Sequence, residues 1–182
     1  MGIRKALAYT HFKARPYTRK SKKSGKNYIK AVPNQHVVKM KMGNIKDYES
    51  GKLNIIIRIH ACTSCQVRDL ALEASRQSIH KHLDFNIPGQ YYLEVRVFPH
   101  HVLRENKVLT GAGADRLQTG MAHSFGVTVG RAAMVKKDQE MFIVAVSTEK
   151  ARKVAMTEIA KVKAKLPCHV RTSLEIKPVK SA

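Results

Sequence analysis

The sequence has no tryptophan, only 6% aromatic residues, three cysteines, and no acidic residue at all before Asp47. Each shortage excludes something. No apolar run approaches the roughly 18 residues a membrane-spanning helix needs, so no spanning segment is expected. An amphipathic helix with bulky apolar residues on one face, the usual means of lying on an anionic membrane, is also missing. Cys62, Cys65 and Cys168 are too few for a disulfide scaffold, and a reducing, intracellular setting is expected. The Met-Gly start lacks the Ser or Thr of a myristoylation signal, since Ala6 stands there. A transit peptide would share the absence of acids, but this start is Lys-heavy and interrupted by Pro16.

What is abundant is positive charge. Thirty-four Lys and Arg stand against thirteen Asp and Glu, a formal charge of +21. Such a surplus opposes compaction unless a polyanion neutralises it, which makes nucleic acid the first partner to consider. Apolar residues still make up 43% of the 182 positions, enough for one domain with a buried core and appendages.

The first 46 residues hold thirteen of the cations. Within them "KARPYTRKSKKSGKNYIK" interleaves Lys and Arg with Tyr17 and Tyr28, while Pro16 and Gly25 discourage regular structure. An extended arm ordered mainly by its partner is expected over residues 1–35, followed by a single globular α+β domain over 36–182.

Strand alternation starts at Val38, Met40 and Met42 and strengthens in Leu53, Ile55, Ile57 and Ile59. A helical period then follows Thr63, with Val67, Leu70, Ala71, Ala74, Ser78 and Ile79 as its inner stripe and Thr63 or Ser64 as cap. It stops before Pro88-Gly89, and Tyr91, Leu93, Val95 and Val97 alternate again. Residues 100–120 carry three glycines and no sustained period, a long loop of the kind that is commonly functional or disordered. Strands return at Val127–Val135 and in "MFIVAV", apolar on both faces. A helix with Ala151, Val154, Ala155, Ile159, Val162 and Leu166 inward follows, then a last strand from Val170 to Ile176. Two amphipathic helices over a mostly antiparallel sheet is an α+β order.

Little here suggests catalysis. Cys62 and Cys65 have the spacing of half a zinc site, but Cys168 and His169, as neighbours on a strand, point to opposite faces; inert thiols are the commoner alternative. Gly111-Ala112-Gly113-Ala114-Asp115-Arg116 lacks the third glycine and the Gly-Lys-Ser/Thr of nucleotide loops. It is either a flexible surface loop or a place where small residues let backbone approach RNA, flanked by Arg104, Lys107 and Arg116. Asp69 and Glu73, beside Arg76, read as a solvated salt-bridged face. The Lys-rich outer face of the second helix reads as solvated or as an RNA contact. His100 and His101 abut the loop without an evident carboxylate partner.

The stretch "VFPHHVLRENKVLTGAGADRLQTGMAHSFG" at 97–126 resembles the universal large-subunit ribosomal protein family called L-sixteen in bacteria and L-ten-e in archaea. "RPYTR" at 15–19, "MGN" at 42–44, "CQVRDLALEASR" at 65–76 and "VGRAAMVKK" at 129–137 fall in the family's order, so the resemblance covers nearly the whole chain and favours the archaeal type. It implies an α/β-hammerhead fold beside the central protuberance, and a cytoplasmic place in the ribosome. It implies as partners large-subunit ribosomal RNA, transfer RNA and neighbouring ribosomal proteins, with no membrane, no homo-oligomer, no cofactor and no enzymatic activity. The loop residues matching the motif, expected near the transfer-RNA corridor, are Arg104, Asn106, Lys107, Gly111, Gly113, Asp115 and Arg116.

Ribosomal RNA contacts are expected from the arm, at Arg4, Lys5, Lys13, Arg15, Tyr17, Arg19, Lys20, Lys22, Lys23 and Lys26. Beyond the arm they are expected at Arg68, His100, His101, Lys136 and Lys137. The "SKKSGKNYIK" stretch looks longer and more basic than the family's usual arm, and Cys62 is additional to its pattern. Two rival readings remain on the sequence: an RNA-acting enzyme using His100 or His101, and a non-ribosomal nucleic-acid-binding protein.

Overall fold

The computed structural model describes residues 6–13, 15–18, 29, 31–105 and 126–178. Among them the chain forms β1 (Lys41–Gly43), α1 (Ile45–Glu49), β2 (Ile55–Ala61), β3 (Cys65–Arg68), α2 (Asp69–Asn86), β4 (Tyr91–Val95), β5 (His101–Glu105), β6 (Val127–Val135), β7 (Glu140–Val146), α3 (Glu149–Val162) and β8 (Val170–Ile176). Short 3-10 turns occupy Ala6–Tyr9 and Lys163–Lys165. A five-stranded sheet has the order β1-β4-β7-β2-β8 and a three-stranded sheet the order β3-β6-β5. Every ladder among the described residues is antiparallel. The fold is α+β, as the sequence implies, and no described helix is long and apolar enough to cross a membrane.

Alternation sets the layers. Ile55, Ile57 and Ile59 turn one face of β2 into the main core, where they meet Leu72, Ile79 and Leu83 of α2 and Ala151, Ala155 and Ile159 of α3. Burying each such Ile or Leu contributes about 2 kcal/mol. β7 is apolar on both faces because both are covered. Phe142, Val144 and Val146 enter the main core, while Ile143 and Ala145 join Leu53, Ile56 and Tyr92 in a smaller cluster behind the sheet. The short helix α1 covers that cluster by stacking Tyr48 on Tyr92, ring centres 4.1 Å apart.

The structure corrects the sequence reading at six points. Cys65–Arg68 is a strand paired with β6, so α2 begins at Asp69, and Arg68 precedes it in extended conformation with no side-chain cap. With Val67 in a strand, the buried stripe of α2 becomes Leu72, Arg76, Ile79 and Leu83, and Ala74 faces outward. Asp69 and Glu73 are not solvated: they are 3% and 8% exposed and serve internal partners. Val38 is 76% exposed, because its N–H is drawn to the Glu73 carboxylate at 3.3 Å instead of joining a ladder. Leu53 precedes β2 and packs behind the sheet, and the first part of the loop expected at 100–120 is instead a strand, His101–Glu105, paired with β6.

Candidate nucleic-acid interface

The three-stranded sheet organises the basic surface. Its outer strands still have one edge each, and the arm ties to both. Gln66 of β3 donates its backbone N–H to the Thr10 carbonyl at 3.0 Å and its side-chain amide to the Tyr9 carbonyl at 2.8 Å. Val102 of β5 donates to the Tyr17 carbonyl at 3.0 Å. Two cation–π contacts reinforce these ties: the Arg68 guanidinium lies 5.5 Å from the Tyr9 ring centre, and that of Arg104 3.5 Å from the Tyr17 ring centre. These described parts of the arm are therefore held by the domain itself. Further along, the Ala31 and Pro33 carbonyls accept from Thr128 and Arg131 of β6.

His101 completes the attachment. Its ring is 2% exposed, and Nδ1 accepts the Tyr17 backbone N–H at 2.7 Å. That bond requires a free lone pair on Nδ1, so the neutral ring carries its proton on Nε2. Burial first, then the positive charges of Lys13, Arg104 and His100, push its pKa down to about 4. His101 faces the arm rather than solvent, with the lone pair a general base would use already committed. His100 is exposed and donates from Nδ1 to the Phe98 carbonyl at 2.9 Å.

Between the two ties the arm crosses near the end of β6, and a cavity of about 600 Å³ opens there. It is lined by Phe12, Lys13, Pro16, His100, Met134, Lys136, Lys137, Asp138 and Gln139. A tight turn after β6 builds one wall. Asp138 takes a left-handed φ of 60°, Lys136 N–H donates to the Gln139 side chain at 2.8 Å, and Lys137 N–H donates to Ser64 Oγ at 3.0 Å. Asp138, the sole carboxylate among the described lining residues, accepts from Arg171 at 3.3 Å. Lys13, Lys136 and Lys137 make no ion pair among the described residues. The result is a concave surface with uncompensated positive charge and an aromatic ring, Phe12, 37% exposed at its rim.

Four expected contact residues, Lys13, His100, Lys136 and Lys137, thus converge from three distant stretches of chain. Arg15 is exposed on the arm. Tyr17, Arg68, His101 and Arg104 instead hold the arm to the sheet. Arg4, Lys5, Arg19, Lys20, Lys22, Lys23, Lys26, Asn106, Lys107, Gly111, Gly113, Asp115 and Arg116 lie outside the described residues. The sequence reading missed Phe12, although it sits beside Lys13 in the same basic-aromatic pattern that singled out Tyr17 and Tyr28. Glu105 and the cavity sit at opposite ends of one sheet: Glu105 pairs with Val127 at one end, and Lys136 follows β6 at the other. Nine strand residues separate them by about 25 Å.

For the cysteines, the described residues contain no group of three His, Cys, Asp or Glu side chains that could hold a metal ion.

A basic α+β domain with a tethered cationic arm and a charged concavity, and no catalytic grouping among its described residues, belongs to the class of proteins that bind a polyanion. Residues 12–173 match the model of the family described as ribosomal protein L16p/L10e, and the chain belongs to that family. It is 40% identical to the large ribosomal subunit protein uL16 of Staphylothermus marinus, over 99% of this chain and 97% of that one. It is 44% identical to the uL16 of Hyperthermus butylicus over 76% and 72% of the two chains, and 36% identical to that of Caldivirga maquilingensis over 98% of each. The chain is a ribosomal protein with a structural part in translation and is not an enzyme.

Proposed function

We propose that the chain holds large-subunit ribosomal RNA at two ends of its three-stranded sheet, beside the central protuberance, and there helps shape the transfer-RNA corridor. Residues 1–35 serve as the arm and 36–182 as the body, in a single copy among neighbouring ribosomal proteins of the cytoplasm. The convergence of Lys13, His100, Lys136 and Lys137 on one cavity carries the reading. Phosphate oxygens suit three ammonium groups that have no ion pair among the described residues, and exposed Phe12 offers a base a stacking face. At the other end, Arg104 lies just before the segment with Asn106, Lys107, Gly111, Gly113, Asp115 and Arg116, which we assign to the corridor. The basic residues in the rest of the arm, from Arg4 to Lys26, would follow RNA phosphates, and the peptide-bond chemistry would belong to the RNA.

The test is binding of the full chain to large-subunit ribosomal RNA across a salt series. Replacing Lys13, Lys136 and Lys137 by Ala should weaken binding at every salt and flatten the log-log slope by about 2 to 3, close to one per lost phosphate contact. An unchanged slope would show that the cavity faces no phosphate. Shortening the segment from Arg104 to Arg116 should spare co-sedimentation with the large subunit and impair translation; normal translation would remove the corridor assignment.

A further inference from the structure

The strand β8 closes one side of the five-stranded sheet, with β2 beside it and no strand beyond it among the described residues. Its backbone groups point alternately toward β2 and away from it. The Lys177 N–H donates to the Asn54 carbonyl and the His169 carbonyl accepts the Cys62 N–H, each at 2.8 Å, so the odd-numbered residues of this stretch are turned inward. Thr172, Leu174 and Ile176 therefore aim their N–H and C=O outward, and none of these groups meets a partner among the described residues. The arm ties both edges of the smaller sheet, but it does not reach this one.

The side chains of β8 sort onto two faces, and neither suits a polyanion. Thr172, Leu174 and Ile176 stand opposite Ile59, Ile57 and Ile55, on the face that the helices cover. Leu174 is nevertheless 45% and Ile176 65% exposed, so the helices leave this end of the strand bare. The other face carries Arg171, Ser173 and Glu175 within a lattice of paired charge. Arg58 reaches Glu140 and Glu175 at 2.7 Å each, and Arg171 reaches Asp138 at 3.3 Å. Arg96 reaches Glu94 at 3.3 Å and Glu140 at 3.7 Å, and Lys177 reaches Glu175 at 3.8 Å. Four cations are thus answered by four acids, in a chain whose total is thirty-four against thirteen. Holding RNA phosphates takes cations in surplus, and the charges here balance.

We propose that β8 seats an extended segment of a neighbouring ribosomal protein, which joins the five-stranded sheet as a further strand. The segment pairs its main chain with the outward groups of Thr172, Leu174 and Ile176. At alternate positions it sets apolar side chains against Leu174 and Ile176, and its other face, beside Arg171 and Glu175, carries no net charge. A second copy of this chain is opposed as occupant by the repulsion of +21 against +21. The inference rests on membership in the ribosomal family, which supplies neighbours of two kinds, RNA and protein; the balanced charge selects the protein.

The test uses large subunits purified from cells in which Thr172, Leu174 or Ile176 of the full chain is replaced, one at a time, by the photoreactive residue p-benzoylphenylalanine. After irradiation and digestion with protease and nuclease, mass spectrometry locates each cross-link. All three sites should link to one segment of one other ribosomal protein. The linked position should move by about two residues for each step from Thr172 to Leu174 to Ile176, as a strand lying alongside requires. Cross-links to RNA, to a second copy or to another part of this chain would overturn the proposal, as would protein links without that progression or no link at all. The unaltered chain gives a second reading where a variant does not assemble. The amides of Thr172, Leu174 and Ile176 should exchange hydrogen at least about tenfold more slowly in the subunit than in the free chain, and equal rates would sink the added strand. The same photoreactive residue at Phe12 reports on the basic cavity alone, so the two readings fail independently.

Discussion

The Arg104 guanidinium lies 3.5 Å from the centre of the Tyr17 ring, while the Tyr17 backbone gives its N–H to His101 and takes the N–H of Val102. One arm residue is thus gripped by three consecutive or near-consecutive residues of β5 through its ring, its amide and its carbonyl. Removing the ring alone should loosen the arm without unfolding the domain. For Tyr17→Ala we expect a loss of about 1 kcal/mol in local stability, read as faster hydrogen exchange at the Val102 amide. Exchange at the β2 amides should stay unchanged, and equal acceleration at both places would contradict a local grip.

Acid should release the same contact. His101 sits at about 4 in the folded chain, against about 6.5 when unfolded. Between those values the unfolded chain binds the extra proton. Stability from this residue is therefore complete above pH about 6.5 and is lost as pH falls toward 4. At about 1.4 kcal/mol per unit, the total reaches about 3 kcal/mol. His101→Asn retains an acceptor near the Nδ1 position and cannot titrate, so its melting temperature should fall less steeply from pH 7 to pH 4.5 than the wild type's. Parallel curves would show that His101 is not held neutral.

The buried pair on α2 gives a sharper result. Arg76 donates from Nε to Glu73 at 2.7 Å and from a second nitrogen to the other carboxylate oxygen, with side chains 9% and 11% exposed. Glu73→Ala leaves a buried guanidinium unpaired, at a cost of about 3 to 5 kcal/mol in urea unfolding. Replacing both, as Glu73→Met with Arg76→Leu, should cost less than the single change. A larger loss in the double variant would mean that the pair's partners at Val38 and Gln77 matter more than the charge itself.

Gly43 ends β1 with φ of 83°, and a Cβ there would overlap the Tyr91 carbonyl oxygen, a backbone atom that cannot step aside. Gly43→Ala should destabilise by at least about 2 kcal/mol, combining left-handed strain with the overlap. Thermal melting checks it, with Gly89→Ala as comparison: Gly89 has φ of 70° but open space around its Cβ, so strain acts there alone.

Elements whose pattern is governed by one neighbouring layer were legible from sequence. Ile55–Ile59 alternate because one face of β2 fills the main core, and α3 shows a clean stripe because it lies on a sheet with its Lys side chains outward. The start of α2 was not legible, since Cys65–Arg68 is too short to declare a period and Arg76 interrupts the apolar stripe with a charge neutralised by Glu73. β5 was hidden for a related reason: His101, Val102 and Leu103 are all buried, so no alternation marks them. The basic residues of the cavity were individually visible, but their convergence depends on the left-handed turn at Asp138 and on the arm crossing the sheet, neither of which leaves a periodic trace.

The ties at Thr10 and Tyr17 have a further effect. A three-stranded sheet with two open sides is a template onto which a second copy can add its own strand, and that is a common first step toward insoluble assemblies. Here the chain's own arm claims hydrogen-bonding groups of Gln66 on one side and Val102 on the other. Edge groups already paired within the chain are not open to a strand of a second copy.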